Sequence, residues 1–462
     1  MTSVESGGVT PAPGGAEGRK SIIETPGDEL MQIRGNGHRR QQFAILCLGL
    51  ITILPAGSAI ASPDLDLPLP MTADARHGAA GSAVVPAPEQ ALRLQALLGQ
   101  HSVLAADFMR GRIRGDEDFA QAADAALGKT TDAMTRLIGD LFGDAAAKRF
   151  GQLWAQHIVE LFSYARGLAD QDDAARAKAR QALIGYERDL AAFFVGASDG
   201  RLTTEAANGA MAMHVDHLLT QADAYAAADY PTADRIYREA YRHTYDLGAT
   251  VAGALLPPKQ AVALRDPTWR LRSQLGKLLA EHVVLVEDAT RAAARNSPDF
   301  AAAGQLVNGN TRDLATAMDS LFGAAAAKDF QSLWGSHVEQ LVAYAAAVTA
   351  QDSARRDRAR AGLRDFEQRM ATFLEGATGK RLTSAALAGA LLSHDQMLLR
   401  HADAVAAKDY RAAHDIAYQT YEHMFELARQ LADAFGATVA ARLPVGGAGT
   451  GHGGMAGVAG RR

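Results

Sequence analysis

The chain has 462 residues, 48% hydrophobic and 21% charged, a composition that supports folding around real cores. Its net charge of −5 leaves no basic excess to neutralise phosphates, which excludes the simplest nucleic-acid-binding reading. The single cysteine, Cys47, excludes an intrachain disulfide, a CxxC site and covalent haem attachment.

Residues 1–30 are rich in Gly, Pro, Ser and charge, with no apolar period. They read as a disordered start, or as sequence upstream of a true initiator at Met31. Arg34, Arg39 and Arg40 then form a positive segment. Phe43 to Leu54 is apolar and is broken by Pro55, and Ala59-Ile60-Ala61 supplies small residues. That order is a secretory signal peptide over 31–61, cut after Ala61. An uncleaved anchor is the rival, but a span needs roughly 20 apolar residues and this stretch is shorter. The expectation is an exported protein with no stable transmembrane span after cleavage. Residues 62–87, rich in Pro, Ala and Gly, are expected to be a linker. Residues 444–462 hold eight glycines in nineteen positions and are expected to be a disordered tail.

Between these flanks the chain repeats itself. LFGDAAAKRFGQLWAQH (141–157) matches LFGAAAAKDFQSLWGSH (321–337) at eleven of seventeen positions, offset by 180. Two homologous halves follow, 88–256 and 268–443. The connector over 257–267 carries Pro257-Pro258 and Asp266-Pro267, poor helix continuers. Each half divides again into three units centred on histidines. His101, His157 and His214 are spaced 56 and 57 residues apart; His282, His337 and His394 are spaced 55 and 57. Apolar residues recur at a 3-4 spacing, as in Phe150, Leu153, Trp154, His157, Leu161 and Tyr164, and alanine, the best helix former, is abundant. The sequence therefore predicts an all-α protein: two tandem homologous helical bundles, each of about six helices in three αα-hairpins.

Eight of the fourteen histidines sit at equivalent places in the two halves. They are His101, His157, His214 and His243, then His282, His337, His394 and His423, each on the apolar seam of its helix. Mid-helix histidines on an up-down bundle converge in one layer, a common setting for sites built from facing helices. Burying four imidazoles without partners costs several kcal/mol, so a cluster of four per half points to a ligand. Imidazole suits zinc or copper best, with iron and manganese as lesser options. Asp246 and Glu426, three residues after His243 and His423, are placed to orient imidazoles. Asp107 and Asp288 are placed less well. A non-covalent haem between opposed histidines is a weaker alternative.

Other residues receive plainer readings. Trp154 and Trp334 are expected to fill the core. Tyr241 and Tyr421 lie roughly opposite their neighbouring histidines. His217, His401 and His414 lack counterparts in the other half and are read as incidental. No catalytic signature of a hydrolase, nucleotide-binding loop or zinc protease is present, and enzymatic activity is left open with a leaning against it.

The segments Leu97-Leu98-Gly99-Gln100-His101, Leu153-Trp154-Ala155-Gln156-His157 and Leu278-Leu279-Ala280-Glu281-His282 carry a resemblance. Their L-[LW]-x-x-H hairpin pattern resembles an uncharacterised family of exported bacterial all-helical proteins, over about 88–443. The resemblance implies export and a helical fold, and no activity. The leading expectation is transition-metal binding by one four-histidine cluster per half, for sequestration, delivery or sensing. The alternatives are a non-catalytic envelope scaffold, whose partner is another envelope protein and whose histidines are buried polar glue, and a metal-dependent redox enzyme.

Overall fold

A computed structural model of the chain describes residues 86–442. The signal peptide expected over 31–61, the segment 1–30, residues 62–85 of the expected linker and the glycine-rich tail lie outside the described residues. Among the described residues there are thirteen α-helices, one short 3-10 turn and no strand. The all-α expectation holds.

The first half comprises α1 (Ala87–Ile113), α2 (Glu117–Phe142), α3 (Asp144–Ala169), α4 (Asp173–Ala197), α5 (Thr204–Ala226) and α6 (Tyr230–Leu255). The second comprises α8 (Pro267–Arg295), α9 (Phe300–Phe322), α10 (Ala324–Thr349), α11 (Ser353–Ala377), α12 (Ser384–Ala406) and α13 (Tyr410–Arg442). The connector is itself wound, into a short α7 (Pro258–Ala261) and the 3-10 turn Val262–Arg265.

Local chemistry sets the hairpins, and the duplication repeats it. Asp172, Thr203 and Asp229 each cap a helix by accepting from the backbone N–H three residues on. Asp352, Thr383 and Asp409 do the same in the second half. The α2–α3 link is one residue, Gly143, at φ 84° and ψ 173°. That region is essentially confined to glycine, which explains the glycine of the repeated Leu-Phe-Gly. Gly323, at φ 88°, plays the same part between α9 and α10.

Short links make consecutive helices antiparallel neighbours. In each half the six helices close into a ring, because the first packs against the last, α1 on α6 and α8 on α13. Alternate helices also touch across the middle: α1, α3 and α5 in one half, α8, α10 and α12 in the other. Each ring therefore has an inner triangle of three helices.

The two rings share one continuous apolar core, running from Ala87 to Phe435. Helix α13 packs on α2 and α6 packs on α9, pairs that exchange when the halves are swapped. The seam is therefore pseudo-twofold, like an isologous dimer interface within one chain. Tyr241 donates its hydroxyl to the Lys277 carbonyl and Tyr421 to the Ala96 carbonyl, both at 3.0 Å. These two tyrosines, which sequence reading set apart from the histidines, pin the halves together. One ion-pair cluster is unsymmetrical. Arg238 and Arg242 of α6 hold the buried Glu281 of α8, and both also meet Asp313 of α9.

Candidate metal centres

The inner triangles position six histidines. His101, His157 and His214 come from α1, α3 and α5, and offer ligand nitrogens that all lie within 4.8 Å of one another. His282, His337 and His394, from α8, α10 and α12, do the same. All six are buried, none more than 3% exposed. The ring centroids form near-equilateral triangles, 5.0, 5.5 and 6.2 Å on a side in the first half. The second triangle measures 5.4, 5.7 and 5.5 Å.

The four-histidine expectation is corrected here. His243 and His423 stand on the last helix of each ring, which packs against the first and fifth helices outside the inner triangle. Their Nε2 atoms instead meet backbone carbonyls, Ala210 at 3.1 Å and Ala390 at 3.3 Å. Both are only partly buried. Their neighbours Asp246 and Glu426 pair with Lys277 and Arg429, so neither orients an imidazole.

Within each triad the hydrogen bonds fix the rings. In the first, His157 Nδ1 meets the Trp154 carbonyl, which sets the proton on Nδ1 and leaves Nε2 with a lone pair. That Nε2 lies 3.1 Å from His101 Nε2. In the second, His282 Nε2 and His337 Nε2 are 3.4 Å apart. His337 Nδ1 faces Asp395 Oδ1 at 3.3 Å. His157 thus has the backbone-carbonyl partner usual for a ligating histidine, whereas the approach of His337 to Asp395 makes no hydrogen bond. His214 and His394 differ from the other four: both nitrogens of each ring are buried without any hydrogen-bond partner.

The halves are not copies in detail. Trp334 donates its indole N–H to His282 Nδ1 at 3.2 Å, whereas the Trp154 N–H has no partner. Both tryptophans fill the core as expected, 2% and 3% exposed, and lie against the histidines. Asp395 is matched in the first half by Val215. Burial and the adjoining Glu367 push the Asp395 carboxyl well above the usual carboxylate range.

Burial keeps the triads neutral. It lowers His157 and His282 to about 3. It lowers His101, His214, His337 and His394 well below the ordinary imidazole value, helped in each case by other histidines. Neutral imidazole is the form that ligates a metal. Two nitrogens bound tetrahedrally to one zinc stand about 3.3 Å apart, given Zn–N distances of roughly 2.0–2.1 Å. The Nε2 pairs already have that spacing; in the second half the Trp334 N–H on His282 Nδ1 puts that ring's proton on Nε2, and an ion there must displace it. A void of about 10 Å³ beside His214, lined by Leu98, Trp154, Phe194 and Met211 among others, is no larger than one water needs.

Sequence reading missed a second polar centre. Asp107 and Asp288 do not serve the triads; they line a cavity of about 50 Å³ between the halves. Glu287, Arg291, His401 and His414 share it, so two of the histidines read as incidental are brought together there. Burial, with Asp288 nearby, raises Asp107 to about 7, and burial lowers His401 to about 3 and His414 to about 4. No helical period could have signalled this, because the cavity exists only where the two rings meet.

Comparison with family models, with curated proteins and with solved structures finds no match to this chain.

Proposed function

We propose that the protein binds transition-metal ions, one on His101, His157 and His214 and one on His282, His337 and His394. The observation that carries this is the pair His214 and His394. Each buries two polar nitrogens with no partner, at a cost of about 1–3 kcal/mol for each unsatisfied group. Each also lies beside two more imidazoles whose nitrogens converge within 4.8 Å. An ion on each triad takes up one nitrogen of each ring and so relieves part of that cost in each half.

An all-nitrogen donor set favours zinc or copper over iron or manganese. The closed surroundings favour holding an ion over turning over a substrate. Three protein ligands leave a fourth position open on a tetrahedral ion, but the triads are buried with a void of only about 10 Å³ beside His214, so sequestration or delivery fits better than redox catalysis. We place this role outside the cytoplasm, on the strength of the charged, apolar and small-residue order over 31–61. Among the described residues no helix is long and apolar enough to cross a membrane.

A second reading has its own support. Trp334 N–H, His282 and His337 form a continuous hydrogen-bonded chain, as buried polar glue would. That reading leaves His214 and His394 unexplained. Elemental analysis separates the two. The untagged chain, challenged with copper and zinc and then dialysed, retains about two equivalents, and His157→Ala and His337→Ala each remove one. No retained metal in the unaltered chain sinks the metal reading and leaves the scaffold.

A further inference from the structure

The seam between the halves opens at one end into a cleft of about 390 Å³. It lies where the turn after α1 and the turn after α8 meet the starts of α6 and α13. Equivalent residues face it from both sides. Arg114 and Arg295 occupy the same position of the repeat, as do Tyr230 and Tyr410. Phe119 and Tyr225 complete an aromatic wall. The cleft exists only because the two halves are joined.

The two arginines are treated differently. Arg295 is paired with the Asp116 carboxylate at 3.2 Å and lies over the Tyr410 ring at 5.6 Å. Among the described residues Arg114 has no carboxylate partner. It donates one hydrogen bond, to the Tyr225 hydroxyl at 3.0 Å, and its guanidinium lies over the rings of Phe119 and Tyr225 at 5.0 and 5.7 Å. The sequence supplies the reason. Arg114-Gly-Asp-Glu-Asp-Phe119 aligns with Arg295-Asn-Ser-Pro-Asp-Phe300, so Ser297 stands where the first half has Asp116. The acid that would pair with Arg114 by symmetry is a serine.

A guanidinium has five N–H donors in a fork that matches a carboxylate. Arg114 uses one of them. Tyr225 cannot supply the missing charge, because its own hydroxyl donates to Asp299 at 2.8 Å. We propose that this cleft binds a small organic carboxylate bearing an aromatic or apolar body. Its carboxylate pairs with Arg114 as Asp116 pairs with Arg295, and its body lies against Phe119, Tyr225, Tyr230 and Tyr410. The volume suits a ligand of one ring, at the lower end of the range for small-molecule pockets. This site is independent of the histidine triads.

The test is calorimetry on the full, untagged chain with benzoate as probe and inorganic phosphate as the competing anion. Benzoate binds at one equivalent, and Arg114→Gln weakens it by at least about tenfold, the worth of a charge-assisted contact. Ser297→Asp supplies the missing acid and abolishes benzoate binding, whereas Ser297→Ala, which removes the same hydroxyl from Asp299 without adding a charge, retains it, a contrast that misfolding cannot imitate. Benzoate binding unchanged in Arg114→Gln and Ser297→Asp, no benzoate binding at all, or phosphate binding in its place overturns the proposal.

Discussion

His101 Nε2 and His157 Nε2 face each other across 3.1 Å in the centre of the first ring, both rings fully buried. Two neutral imidazoles can hold that distance by sharing one proton or one metal ion. The third ring, His214, cannot join a two-membered hydrogen bond, and it is the third ring that argues for the ion.

This leads to a stability prediction with an unusual sign. His214→Leu replaces two unsatisfied buried nitrogens with an apolar side chain of similar bulk. The metal-free protein is expected to gain about 1–3 kcal/mol, measured by urea unfolding after chelation. The same variant loses its stabilisation by added metal, because only an ion-binding native state is stabilised by mass action. A variant less stable than the parent without metal would show that His214 is already satisfied.

The seam cavity predicts a pH dependence. Burial, with Asp288 close by, raises Asp107 in the folded protein to about 7, above its unfolded value of 3.8. The unfolded chain therefore loses this proton first as pH rises. The contribution to stability is complete below about 4 and is lost progressively up to about 7. Asp107→Asn removes the penalty. It is expected to be more stable than the parent at pH 8, by a margin that shrinks as the pH falls to 4.5. Denaturant unfolding at the two values measures it, and a margin independent of pH contradicts the assignment.

The joint between the halves predicts two different magnitudes. Glu281 is 1% exposed and held by Arg238 and Arg242 across the seam. Glu281→Ala removes the buried partner of two guanidinium groups that keep Asp313, and is expected to cost about 1.5–3 kcal/mol, the worth of hydrogen bonds to charged groups. Tyr241→Phe removes one hydrogen bond to the Lys277 carbonyl and is expected to cost about 0.5–1.5 kcal/mol. Both should leave the metal content intact in the folded fraction. Equal effects from the two would mean that the ion pair contributes nothing beyond a hydrogen bond.

Much of this architecture was written in helical period. The 180-residue offset marked the duplication, and the spacing of His101, His157 and His214 marked the helices that turn inward. Spacing alone could not exclude His243. It lies on an apolar seam like the others, but that seam faces α1 and α5 from outside the triangle. Which helices become the inner ones is decided by ring closure, a long-range contact with no local signature. His401, His414 and Asp107 were opaque for the same reason, since they meet only across the seam. The differences between the halves were legible. Val215 against Asp395 and Ser297 against Asp116 can be read from the repeat alignment, but their meaning depends on what each side chain faces.

The most direct test of the metal centres is X-ray absorption at the zinc edge on the untagged, zinc-loaded chain. The account predicts about three imidazole nitrogens per zinc at roughly 2.0–2.1 Å. It also predicts that the signal disappears in the His157→Ala/His337→Ala variant. Zinc surrounded only by oxygen, or an unchanged spectrum in that variant, would contradict it.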